Sequence, residues 1–282
     1  MILVTGATGK VGRHVVAGLL EAGVAVRALV RQPLLSGLPP EVELVVGDIN
    51  DPAAVRKAAA GVDAAFLLWP SFSAEGAAPV VEALTEQVRR VVYLSALNVK
   101  DDQPAEYNGV WGQVEQLLAA ADWTFLRVGG FAANTLTWAE EIRTGSTVSM
   151  PSPKAGRSLI HERDIADIAV LALLDDAHIG RKYELTGPQV LTQEEQVATI
   201  ASVIGKDLRI AEQSPEEARQ LMLATGVDPI LAEGSVQYWA SLVDDPEPVT
   251  PDYKTLTGNP GRTFHQWTHD HAADFLTTTP AG

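Results

Sequence analysis

Residues 4–12 read VTGATGKVG, so a short apolar run passes into glycines at positions 6, 9 and 12 and then into an amphipathic stretch. That spacing commits the chain to a strand, a tight turn and a helix folded back on the strand. Gly6 permits the turn, Gly9 lets backbone N–H groups approach a diphosphate, and Gly12 allows the helix to pack closely on the strand. The helix N-terminus adds partial positive charge. A glycine turn by itself also serves as a βα loop that binds nothing. Here it opens a βαβ unit, and a second signal stands at the end of the next strand. Arg31 occupies the place where NAD-preferring folds put an acid against the ribose hydroxyls. A guanidinium there suits a 2′-phosphate, so NADP(H) is expected in preference to NAD(H). Asp48, after the third strand, either accepts a bond from an adenine amino group or caps the helix that starts at Asp51 and Pro52.

The first half continues the alternation of short apolar runs and amphipathic stretches that feeds a parallel sheet covered on both faces. Strands are predicted at residues 2–4, 25–30, 43–46, 64–68, 90–94 and 124–128, with a seventh at 182–185. Helices are predicted at 11–22, 52–60, 78–87 and 110–121. The expected fold is therefore α/β, a Rossmann-type doubly wound parallel sheet with a small, mainly helical C-terminal lobe. After Gly129 the pattern changes. Residues 144–157 are rich in Gly, Ser and Pro and read as irregular, between helices beginning near Phe131 and Arg163. Further helices are predicted at 193–204, 215–225, 231–242 and 264–275. The expected division is a dinucleotide-binding part, residues 1–130 with 158–187, and a substrate-binding lobe of residues 131–157 and 188–282.

A chain of 282 residues with 46% hydrophobic content can bury a large core. Its formal charge of −15, with no Lys/Arg cluster, argues against nucleic acid as a partner. No apolar run approaches the roughly 20 residues of a bilayer span, and residues 1–4 meet Thr5 and Gly6 at once, which leaves no signal-peptide core. A cytoplasmic protein is expected. The absence of cysteine removes disulfides, thiolate metal sites and thiol nucleophiles. His265 and His269 share a helix face but lack an acidic or thiolate partner in the right setting, and no metal site is expected.

Taken in order, the motifs form a set: residues 5–12 (TGATGKVG), 28–31 (ALVR), Gly47 with Asp48, 92–95 (VYLS), 124–127 (TFLR) running into 130–134 (GFAAN), 160–164 (IHERD) with 165–167 (IAD), and 183–188 (YELTGP). The set resembles the atypical short-chain dehydrogenase/reductases and, within them, the NmrA-like group that includes NAD(P)H-dependent quinone reductases. The resemblance implies that Thr8, Gly9, Lys10 and Val11 line the diphosphate, that Leu68 and Trp69 flank the nicotinamide ribose, and that Ser95 sits beside the ring. Asp48 and its neighbour Ile49 complete the expected cofactor-binding positions, with Gly6, Gly12 and Arg31.

Active short-chain dehydrogenases pair a serine after the fifth strand with a Tyr-x-x-x-Lys on the next helix. Ser95 and Tyr107 are the candidates for those roles, yet the position four after Tyr107 is Trp111 rather than lysine. Without a neighbouring cation a phenol near its reference pKa of about 10 stays protonated at neutral pH, so Tyr107 is a proton donor at best and a poor base. This suits reduction better than alcohol oxidation. Trp69, Trp111, Phe131, Asn134, Trp138 and His161 are the expected substrate-pocket residues, an aromatic set that fits a flat apolar molecule; each aromatic also fits plain core packing. Two functions stay open: an NADPH-dependent oxidoreductase acting on a quinone, enone or carbonyl of a small aromatic molecule, or an NADP(H)-sensing regulator without turnover. A non-redox enzyme on the same scaffold is a third. Residues 110–121 and 131–138 offer a face for a homodimer or simply cover the sheet.

Overall fold

The computed structural model describes residues 1–276. Seven strands form one parallel sheet: β1 (Ile2–Val4), β2 (Val26–Val30), β3 (Glu43–Val46), β4 (Ala64–Leu67), β5 (Arg90–Ala96), β6 (Asp122–Val128) and β7 (Arg181–Leu185), in the order β3-β2-β1-β4-β5-β6-β7. The order reverses beside β1, which is the switch point of a doubly wound fold. The central strands β1 and β4 are buried along their whole length, as strands covered on both faces must be.

The crossovers are helices that bury an apolar stripe against the sheet, except between β2 and β3, where the chain makes only the exposed 3-10 turn Pro33–Leu35. Helices α1 (Gly12–Glu21) and α5 (Glu162–Leu174) pack against each other, with Gly18 admitting the Val170 side chain. Helices α2 (Pro52–Ala59), α3 (Ala77–Thr85) and α4 (Gly109–Leu118) share a core with the strands, centred on Leu67, Leu84, Val91, Tyr93 and Leu118. Asp51 caps α2 by accepting from the Ala53 N–H, with Pro52 at the first helical position.

The described chain divides into two compact units. The first comprises residues 1–129, 162–185 and 251–258; the second comprises 130–161, 186–250 and 259–282, of which 277–282 lie outside the described residues, as do the last positions of the expected lobe. The second unit has its own core, built around Ile142, Val148, Ile200, Phe264, Trp267 and Phe275. Its helices include Gln193–Ile204, Pro215–Ala224 and Phe264–Asp270, and all three begin with a capping box.

Several boundaries differ from expectation. The region 144–157, read as irregular, holds the strands Thr147–Met150 and Gly156–Arg157. The first pairs in parallel with Arg209–Glu212 and the second antiparallel with Leu191–Thr192. The helix expected near Phe131 is a 3-10 stretch, Ala132–Trp138, that runs into Ala139–Thr144. The last helix ends at Asp270 and continues as a 3-10 turn, Ala272–Phe275. Among the described residues no helix is long and apolar enough to cross a membrane.

Candidate active site

The glycine turn has the geometry its sequence implies. Gly6 has a φ of +62°, a region open to glycine at no steric cost, and its carbonyl accepts the Gly9 N–H at 2.9 Å. A Cβ on Gly12 would stand 2.1 Å from the Gly6 carbonyl oxygen, so the start of α1 touches the turn backbone to backbone. A Cβ on Gly9 would stand 3.1 Å from the same oxygen. Arg13, on the first turn of α1, donates from Nε to the Gly9 carbonyl at 3.1 Å and from Nη2 to the Thr8 carbonyl at 3.0 Å. It braces the turn and adds a fixed positive charge beside it. Thr5 is a second brace, since its hydroxyl donates to the Phe66 carbonyl at 3.1 Å and accepts the Leu68 N–H at 2.8 Å. These bonds join the ends of β1 and β4, while the Leu68 side chain packs against Gly6. Thr8 and Lys10 are exposed at the turn, and Val11 is buried under it. This tight, glycine-only cradle fits a dinucleotide diphosphate.

Arg31 stands exposed immediately after β2 and lines a depression of about 300 Å³ with Thr8, Val30, Gln32, Leu35 and Ser36. Its lining carries no carboxylate among the described residues. Asp48 instead accepts from the backbone and side-chain nitrogens of Asn50, each at 2.9 Å. Asp51, not Asp48, caps α2. Ile49 is half-buried against the core of α2 and α3.

Ser95 is buried, and its hydroxyl donates to Glu115 Oε1 at 2.5 Å. The register explains this: Ser95 lies opposite Arg127 on the neighbouring strand, so both side chains leave the sheet on the face that α4 covers. Arg127 donates to both oxygens of Glu115, at 3.0 and 2.7 Å, and to Asp101 at 2.7 Å; Lys182 meets Asp101 at 2.6 Å. Hydrogen bonds from Lys182 and then Arg127 hold the Asp101 carboxyl below its ordinary range. Burial, then the nearby Glu115 charge, pushes the Tyr93 phenol well above its ordinary value, so it stays protonated. Ser95 is thus tied into a charged network, with its proton committed to Glu115.

Tyr107 sits on the 3-10 turn Ala105–Asn108 and is 76% exposed. Trp111 is half-buried against the core, with the Phe72 ring edge-on at 6.1 Å. Trp69 is in the core itself, its indole N–H donating to the Ser73 carbonyl at 2.8 Å. This is the packing alternative left open for the aromatics: the apolar ring is taken up by the core and its polar tip by the following loop.

In the second unit Asn134 and Trp138 line a cavity of about 490 Å³ together with residues the sequence did not single out, among them Met150, Arg157 and Met222. Phe131 does not line it; its backbone bridges to Ile160. His161 is buried, with Nε2 at 3.3 Å from Asp270 Oδ2, so it meets a carboxylate within its own unit rather than lining this cavity.

Residues 6–176 match the family described as NAD(P)H-binding. The chain belongs to the NAD(P)H-binding family. This NAD(P)H-binding protein is 36% identical over 281 residues to the (4-alkanoyl-5-oxo-2,5-dihydrofuran-3-yl)methyl phosphate reductase of Streptomyces griseus, covering 98% of this chain and 99% of the relative. It is 32% identical over 290 residues to the NAD(P)H azoreductase of Xenophilus azovorans, again covering 98% and 99%. The NADPH-dependent quinone oxidoreductase of Escherichia coli has the same fold, with a TM-score of 0.78 at 23% identity over 96% of this chain and 99% of that one. The family match and these reductase relatives agree with the NAD(P)H-binding reading of the motifs. Sequence reasoning missed Thr5, Arg13, Glu115 and Arg157. An arginine one residue past the last glycine is a readable signal for the second; the others depend on register or on distant partners.

Proposed function

We propose that this protein is an NADPH-dependent reductase of a quinone, enone or other carbonyl on a small, flat aromatic molecule, acting in the cytoplasm. The first unit holds the dinucleotide and the second takes the acceptor. Gly6, Gly9 and Gly12 admit the diphosphate, Thr8, Lys10 and Val11 frame it, and Arg31 receives a 2′-phosphate. The observation that carries the coenzyme assignment is the depression around Arg31, which offers a guanidinium, a serine and a glutamine, and no carboxylate, to a phosphate. The reductase activities named for the Streptomyces and Xenophilus relatives support the reaction class.

When bound, the reduced dinucleotide supplies a hydride. The two candidate catalytic residues favour that direction because neither is placed as a strong base: Ser95 has committed its proton to Glu115, and Tyr107 has Trp111 where a dehydrogenase has lysine. A quinone-like acceptor needs no base, since its reduced oxygens take protons from water. The same departures favour a second reading, a dinucleotide sensor without turnover.

Loss of reduced-nicotinamide absorbance on adding simple quinones to protein and NADPH separates the two. Quinone-dependent consumption supports the reductase, while tight NADPH binding without consumption by any acceptor overturns it. NADH is run beside NADPH, and equal KM values for the two overturn the role of Arg31.

A further inference from the structure

The cavity of the second unit has a lining chemistry that narrows what it takes. Among the described residues that line it, Arg157 is the one cation and Glu141 the one carboxylate. Arg157 is poorly matched by its protein partners. Its Nη2 meets Glu247 Oε1 only at 3.4 Å, its guanidinium carbon lies 5.6 Å from the centre of the Tyr238 ring, and its Nε is buried with no acceptor among the described residues. Glu247 cannot do more, because it also accepts from Gly130 N–H at 3.1 Å, Ser158 N–H at 3.2 Å and the Tyr238 hydroxyl at 3.2 Å. A largely buried guanidinium so weakly paired is costly, and a ligand oxygen meeting the part of it that lines the cavity wall offsets that cost.

The fold also reserves space for this side chain. A Cβ at position 130 would stand 2.2 Å from Nη2 and 2.5 Å from the guanidinium carbon of Arg157, so glycine at 130 leaves the guanidinium where it is. The charge around the cavity is not positive, however. Glu247 offsets Arg157, and Glu141 adds a carboxylate that accepts the Ser149 N–H at 2.9 Å. Gln193 and Gln196 each donate one amide N–H, to the Ser152 and Leu191 carbonyls at 2.9 and 3.0 Å, which leaves each a carboxamide oxygen and a second N–H to offer a ligand. Trp138, Met150, Leu221 and Met222 supply apolar wall. The volume, about 490 Å³, is that of a small-molecule site.

We propose that this cavity binds an uncharged, largely apolar acceptor bearing a carbonyl and a hydroxyl, with Arg157 donating to the carbonyl oxygen and the glutamine oxygens accepting from the hydroxyl. The proposal rests on the reductase reading and names its substrate class. It also separates this protein from its Streptomyces relative, whose named substrate is a phosphate ester: a dianion would meet one cation already shared with Glu247, in a cavity that Glu141 also lines.

The test compares 2-hydroxymethyl-1,4-naphthoquinone with 1,4-naphthoquinone-2-sulfonate, which share a ring system and differ in charge. Binding to the full chain is read by quenching of tryptophan fluorescence and by calorimetry; Trp138 and Trp239 line the cavity, and there is no cysteine for a quinone to alkylate. The neutral quinone is expected to bind at least about tenfold more tightly than the sulfonate, a ratio that needs no substitution to measure. Arg157→Met and Gly130→Ala are each expected to weaken the neutral quinone about tenfold, the worth of one charge-assisted hydrogen bond. Equal or tighter binding of the sulfonate overturns the proposal, as does unchanged binding by both variants. NADPH oxidation is followed in the same samples. The expected binding pattern without NADPH consumption leaves the cavity assignment standing and overturns the reductase reading instead.

Discussion

Gly12 is held by backbone on its crowded side: a Cβ there would meet the Gly6 carbonyl oxygen at 2.1 Å and its carbon at 2.7 Å. No side-chain rotation relieves that clash, so Gly12→Ala must push α1 off the turn. NADPH binding is expected to fall at least tenfold, with a stability loss of about 1–3 kcal/mol from overpacking, read by calorimetry and urea unfolding. Arg31 is the opposite kind of residue, exposed and free of steric duty. Arg31→Asp is expected to raise the KM for NADPH about ten- to a hundredfold and to leave that for NADH nearly unchanged. An equal rise for both coenzymes would show that Arg31 acts on the fold or on the shared part of the dinucleotide. Tyr107 is 76% exposed, and water is the proposed source of protons. Tyr107→Phe should therefore change quinone reduction by less than about threefold, well short of the loss that follows removal of a general acid.

Helix α4 is fastened to the sheet by Glu115, a buried carboxylate in an otherwise apolar stripe that includes Val110, Val114 and Leu118. Its partners Ser95 and Arg127 come from two different strands. Glu115→Ala leaves the Arg127 guanidinium buried with only Asp101 beside it, and is expected to cost about 3 kcal/mol in urea unfolding. An unaltered midpoint would mean that the pair contributes nothing net. This network also marks the limit of what the sequence discloses. The glycine turn and the strands of the sheet were legible because each is a local pattern, and predicted strand ends fall within about two residues of those observed. The strands Thr147–Met150 and Arg209–Glu212 were not legible, because each is four residues long, carries polar side chains and acquires its identity only from pairing with the other. Arg157 was hidden for the same reason: it lies in a two-residue strand within the Gly-, Ser- and Pro-rich stretch, and its partner Glu247 is 90 positions away. Trp69 shows the converse case: its place after a strand fitted a ligand or the core, and only its neighbours pack it into the core.

The whole molecule carries a formal charge of −15 at pH 7, so self-repulsion opposes the folded state at low ionic strength. Against that background stand carboxylates held below their ordinary value of 3.8: Asp101 by hydrogen bonds from Lys182 and Arg127, and Asp176 chiefly by one from Arg89. A carboxyl with a lower pKa folded than unfolded adds stability that is present above the unfolded value and is lost as pH falls through the folded one. Two trends therefore meet. From pH 7 toward about 5, added protons and added salt both reduce repulsion, and the urea midpoint is expected to hold or rise. Below 3.8 the paired carboxylates resist protonation in the folded chain but not in the unfolded one, and the midpoint must fall. Asp101→Asn separates the contributions, because it removes a depressed carboxylate while leaving the Glu115–Arg127 pair in place. Urea titrations of both proteins from pH 7 to 3 are expected to converge at the acid end, with the wild type more stable above about pH 4. Parallel curves across that range would show that Asp101 is no more strongly held in the folded chain than in the unfolded one, and that the acid limb belongs to other groups.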